Sequence, residues 1–95
     1  MNIETVQEFA NFTGVVVFTA PWCGPCKSYK PRLEAWCKGK GIPLGVVDAS
    51  VSKDLVLQAG VRAVPTTLFV NEGVIGAVRL TGAVVESNLD TLDLP

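Results

Sequence analysis

Histidine is missing from the 95 residues, cysteine occurs three times, and lysine and arginine never gather into a run. Each shortage closes off a class of function. With a formal charge of −1 and no basic stretch, the chain lacks the phosphate-neutralising footprint of a nucleic-acid binder or of an electrostatic membrane anchor. No stretch approaches the ~20 apolar residues that cross a bilayer, and Met1-Asn2-Ile3-Glu4 does not begin a basic-then-apolar secretory leader. The expectation is a soluble, cytoplasmic protein whose partners are proteins, with no nucleic acid and no membrane. Repeats, low-complexity tracts and Pro/Gly/Ser-rich linkers are also lacking, so residues 1–95 are expected to form a single domain.

What is present suffices for a core. Apolar residues make up 48% of the chain and charged ones 18%, which argues against disorder. Thr5-Val6-Gln7-Glu8 has the form of a capping box, and Val6, Phe9 and Ala10 follow at helical spacing, predicting a first helix to about Phe12 that Gly14 ends. Val15-Val16-Val17-Phe18 is an unbroken run suited to a central strand buried on both faces. Cys26, Tyr29, Leu33, Trp36 and Cys37 then share one helical stripe, on a helix starting near Cys23, closing at Gly39 or Gly41, and carrying Pro31 inside it.

Leu44 to Val47 reads as the next strand, and Ser50 or Ser52 as the cap of a short helix that Gly60 closes. Thr66–Val70 and Val74–Leu80 read as a hairpin joined through Asn71-Glu72-Gly73. Val85, Leu89 and Leu92 give a last helix one apolar face. The order is a βαβ unit, a helix, and a hairpin closed by a helix, with a helix and a stub of strand in front. That makes an α/β sandwich: a mixed sheet of four to five strands with helices on both faces.

Chemistry concentrates in Cys23-Gly24-Pro25-Cys26. At the first turn of a helix, unsatisfied N–H groups and the positive end of the dipole favour the thiolate of Cys23. Cys26, three residues on, lies within bonding range. Cys23 can attack a disulfide to form a mixed disulfide, which Cys26 then resolves. Gly24 permits a tight turn, and Pro25 fixes φ where a missing N–H costs little. A loop this short adds little entropic stability when closed, so the bond can be made and broken without refolding. The competing reading is half of a zinc site. It needs two further ligands where there is no histidine, and Cys37, eleven residues along the same helix, is about 16 Å away. Redox chemistry is the better account, and no bound cofactor is implied because the pair itself carries two electrons.

Trp22-Cys23-Gly24-Pro25-Cys26-Lys27, after a hydrophobic strand and before a helix containing Pro31, resembles the active-site signature of the thioredoxin family. The order of elements follows that family over almost the whole chain. The resemblance implies a thioredoxin-like sandwich and a protein disulfide reductase, a monomer recharged by a thioredoxin reductase. It also implies that Val64-Pro65-Thr66 is a cis-proline turn beside the cysteine pair, leaving the Val64 backbone free for an extended substrate, and that Thr81-Gly82-Ala83 borders the substrate groove. Trp22, Val64, Pro65, Thr81 and Gly82 are thus the expected substrate-binding residues. An accessory binding module on the same fold, and a glutaredoxin-like reductase using glutathione, are the alternatives.

Two departures from the family stand out. Its buried Asp, six residues before the first cysteine, and the Lys that pairs with it fall on Val17 and Leu44 here. Their joint loss is coherent, since a buried Lys without its partner is an uncompensated charge, whereas two aliphatic residues pack. It also removes the usual acceptor for the Cys26 proton, so resolution is expected to be slow at neutral pH and to quicken as pH rises. Thr19 stands where an aromatic is common, and Pro21 precedes Trp22. Trp22 is expected to shield the disulfide and touch substrate, Trp36 and Tyr29 to sit in the core, and Cys37 to be a packing cysteine. Lys27 and Lys30 read as solubilising helix residues, and Asp48, Asp54 and Glu72 as solvated loop or cap residues.

Overall fold

A computed structural model describes residues 1–92. Its elements are α1 (Val6–Ala10), β1 (Gly14–Thr19), α2 (Gly24–Lys40), β2 (Leu44–Asp48), α3 (Lys53–Ala59), β3 (Thr66–Asn71), β4 (Val74–Thr81) and α4 (Glu86–Leu89). The strands form one mixed sheet in the order β2-β1-β3-β4. Strand β1 runs parallel to β2, with Thr19 opposite Asp48, and antiparallel to β3, while β3 and β4 are antiparallel. A stub at the amino terminus extends the sheet beyond β2. Asn2 bridges to Val46, the Ile3 N–H donates to the Val46 carbonyl at 2.8 Å, and the Val46 N–H donates to the Met1 carbonyl at 2.8 Å.

Because side chains alternate across a strand, the valine run divides between two cores. Val16 and Phe18 face one layer with Phe9, Phe12, Leu55 and Ala59, which brings in α1 and α3. Val15 and Val17 face the other with Tyr29, Leu33, Cys37 and Leu89, which brings in α2 and α4. All four strand residues are fully buried, as a strand covered on both faces requires. Tyr29 carries its hydroxyl into its layer and bonds the Thr67 hydroxyl at 2.7 Å, so neither buried oxygen lacks a partner.

Local signals in the sequence are realised with some corrections. The capping box forms: the Glu8 N–H donates to Thr5 Oγ1, and the Thr5 N–H to Glu8 Oε1. Helix α1 nevertheless stops at Ala10, capped at Asn11, and Gly14 opens β1 instead of ending the helix. A Cβ there would meet the Pro43 carbonyl, whose oxygen accepts from the Val15 N–H at 2.9 Å. Ser52 stands at the cap position of α3 without capping it. Its hydroxyl is buried and donates to the Glu4 carbonyl.

Glu72 and Gly73 both take positive φ, the requirement of a tight hairpin turn between right-twisted strands. The last helix is a single turn. Leu89 and Leu92 are buried, but Val85 is its exposed cap, so the expected three-residue apolar face is reduced to two. Trp36 is only partly buried, at the rim of the core with Lys40 over its ring. No helix among the described residues is long and apolar enough to cross a membrane.

Candidate active site

The carboxyl end of β1 delivers the chain into Ala20-Pro21-Trp22 and then into α2, and Cys23 is the residue at that joint. It caps the helix. Its φ and ψ are extended, its Sγ accepts the Cys26 N–H at 3.2 Å, and Pro25 occupies the first turn, where an amide hydrogen would have no helical partner. Cys26 sits one turn in, bonded to Cys23 as a disulfide with the Cα atoms 5.3 Å apart. Once the bond is reduced, the same amide donor and the helix terminus face the Cys23 sulfur and favour its anionic form.

The two sulfurs have different surroundings. Cys23 Sγ lies 3.8 Å from the Val64 carbonyl oxygen, on the side where the Val64–Pro65 peptide bond is cis. Pro65 is buried there, and its carbonyl accepts the Gly82 N–H at 2.8 Å, which brings the Thr81-Gly82 loop alongside. Trp22 stands out from this surface at 74% exposure. The structure therefore brings Trp22, Cys23, Val64, Pro65, Thr81 and Gly82, separated in sequence by up to about sixty residues, onto one side of the molecule.

Cys26 borders an open cavity of about 440 Å³ on the β2 side, whose walls include Thr19, Asp48, Lys27, Lys30 and Glu4. Asp48 is thus more than a solvated loop residue. It is half-buried at the end of β2, directly opposite Thr19, and the Ala49 N–H ties it back to the Thr19 carbonyl at 2.8 Å. This placement follows from topology. Parallel strands joined by a helix end on the same side of the sheet, and the crevice outside their carboxyl ends is where α/β folds gather functional groups. Reading Asp48 alone misses it, whereas pairing the ends of the two parallel strands finds it.

Val17 is fully buried, with Leu44 and Val46 packed partly buried against the same layer, so aliphatic contacts fill the region where the family has its charge pair. Cys37 is buried on the same layer, and burial pushes its thiol up to about 11. Arg32 fastens α2 to the segment before α4, donating to the Val84 carbonyl at 3.2 Å and pairing with Glu86 at 2.8 Å. That tie had no distinctive sequence signal. Among the described residues, no three His, Cys, Asp or Glu side chains converge as a metal site would need.

Comparison with known proteins agrees with this geometry. The thioredoxin family model matches residues 3–92. A thioredoxin of Neurospora crassa is 37% identical over 99 residues, covering 90% of this chain and 78% of the relative. A protein disulfide-isomerase of Aspergillus niger is 39% identical over 71 residues, which is 70% of this chain but 14% of that longer protein. The crystal structure of a Malassezia sympodialis thioredoxin superposes with a TM-score of 0.80 at 30% identity, covering 94% of this chain and 83% of the other.

Proposed function

The chain belongs to the thioredoxin family and is a thiol-disulfide oxidoreductase, and from that premise we propose that it reduces disulfides in proteins, with Cys23 as nucleophile and Cys26 as resolving thiol. The observation that carries this assignment is the unequal placement of the two sulfurs. Cys23 caps α2 beside the Val64 carbonyl, whereas Cys26 lies one turn deeper and borders the cavity on the β2 side, the two being equally buried in the disulfide. Cys23 is itself largely covered in the disulfide form, so access to it is lateral, across Trp22, Val64, Pro65 and the Thr81-Gly82 loop.

An extended substrate segment aligned with the Val64 backbone would pair main chain to main chain, which is tolerant of substrate sequence. Cys23 thiolate attacks one sulfur of the bound disulfide, and the other leaves as a thiol. Cys26 then attacks Cys23, releasing the second thiol and closing the Cys23–Cys26 bond. Two electrons pass from the dithiol to the substrate. In this reading residues 1–95 work as a single domain and as a monomer in the cytoplasm, re-reduced by a thioredoxin reductase.

Replacing Cys26 by Ser should leave attack intact and block release, so substrates accumulate as mixed disulfides on Cys23 and can be named by mass spectrometry. Wild-type protein should reduce insulin with a chemical thiol as electron source, and the Cys23→Ser variant should not. Failure of wild type in that assay, or capture that does not require Cys23, overturns the proposal.

A further inference from the structure

Val17 fills the position of the family's buried carboxylate with an aliphatic side chain, yet Cys26 and Asp48 line the same cavity. We propose that Asp48 is the positioning base of the resolving step, drawing the proton from Cys26 across this cavity through water. The proposal rests on the roles given above to Cys23 and Cys26. A cavity of about 440 Å³ holds several waters, and its polar walls supply the partners that bridging water needs.

Asp48 is held for such a task. Its Oδ1 accepts from the Ser50 N–H at 2.9 Å and the Ser50 hydroxyl at 2.6 Å, while Oδ2 has no protein partner among the described residues. The bond from Ala49 to Thr19 fixes its strand end against the strand that leads into the cysteine loop. Thr19, opposite Asp48 on the neighbouring strand, lines the same cavity.

The other charged groups facing the cavity are Lys27 and Lys30 on α2 and Glu4 on the amino-terminal segment. Lys30 follows Cys26 by four residues, the spacing that places two side chains on one helix face, so its ammonium favours the negative charge developing on sulfur. Glu4 is exposed, and among the described residues no side-chain bond anchors its carboxylate. Asp48 is therefore the carboxylate whose place is fixed.

In the step itself, the Cys26 S–H proton moves through water to the Asp48 carboxylate as Cys26 Sγ bonds to Cys23 Sγ. The bond from Cys23 to the substrate sulfur breaks, and that sulfur leaves with the electron pair and takes a proton from solvent. The dithiol is oxidised and the substrate disulfide reduced. Asp48 then returns its proton to water, and no further reagent is consumed.

Stopped-flow reaction of the reduced protein with dithiobis(nitrobenzoate) separates the stages. One coloured equivalent appears on attack by Cys23 and a second on resolution by Cys26. Asp48→Asn keeps an oxygen for the Ser50 bonds while removing the base. It should slow the second phase about tenfold or more at pH 7 and leave the first within about twofold. The second-phase rate of the variant should then climb about tenfold per pH unit below the thiol range, tracking thiolate alone, while wild type rises less steeply. Asp48→Glu should restore part of the rate, which a merely structural role for the aspartate would not require of a longer side chain. A second phase in Asp48→Asn matching wild type in rate and slope from pH 6 to 8 overturns the assignment and leaves Cys23 and Cys26 in place. Absence of the first phase from wild type overturns the cysteine roles, and this inference with them.

Discussion

Cys37 shows what decides the behaviour of a cysteine at the level of one residue. It shares a helix with Cys26, but it lies in the last turn of α2, packed with Val15, Leu33 and Leu89, and keeps its proton up to about 11. The cause is burial, which disfavours the thiolate. Native reduced protein at pH 8 should therefore leave Cys37 unmodified by iodoacetamide, while denatured protein reacts fully; mass spectrometry reads the difference. The same shift fixes a pH dependence of stability. The fold holds the proton that the unfolded chain gives up near the ordinary thiol value of about 8.5, so the contribution is complete below that pH and is lost on rising to about 11. Denaturant titrations should show stability falling over this window more steeply for wild type than for Cys37→Ala. Single positions are legible where pattern sets their placement, as with the bonded pair Cys23 and Cys26 at the start of α2 and the buried Tyr29 and Cys37. Asp48 is not, because its meaning comes from what another strand places beside it.

At the level of elements, the hairpin between β3 and β4 is the clearest case of sequence dictating geometry. Gly73 has φ of 79°, and a Cβ on it would come 2.7 Å from the Ala10 Cα at the end of α1. The turn thus closes the hairpin and also supports the first helix, with the Gly73 N–H donating to the Phe12 carbonyl at 3.3 Å. Gly73→Ala combines left-handed strain with a backbone collision and should cost about 2–3 kcal/mol, a fall in Tm of roughly 10 °C or more for a domain of this size. Gly39→Ala, inside α2 with nothing near the added carbon, should stabilise by up to about 1 kcal/mol. Thermal melts of both variants check the contrast. Long elements with strong periodicity are legible: α2 begins at Cys23 and, of the two glycines that could close it, ends at Gly41, with Gly39 inside the helix. The short ones are not. Helix α1 stops early at the local backbone cap of Asn11, and α4 is one turn followed by the buried Leu92, limits that apolar spacing alone does not mark.

Across the whole molecule, the central strand couples everything. Strand β1 contributes to both cores and hands the chain on to the cysteine loop, so neither layer can loosen without disturbing the site. Thermal and chemical unfolding of the reduced protein should accordingly be one cooperative transition, with far-UV circular dichroism and the fluorescence of Trp22 and Trp36 giving the same midpoint; separated midpoints would contradict a single folding unit. The stub before α1 has a further consequence. A sheet edge left bare invites another polypeptide to zip onto it, and here Asn2 and its neighbours occupy part of the β2 edge while Glu4 walls the cavity beside Cys26. Met1, Asn2 and Ile3 thus cover the part of the β2 edge around Val46. Without them, a second molecule could add a strand next to a reactive sulfur, and a passing encounter could become a covalent dimer.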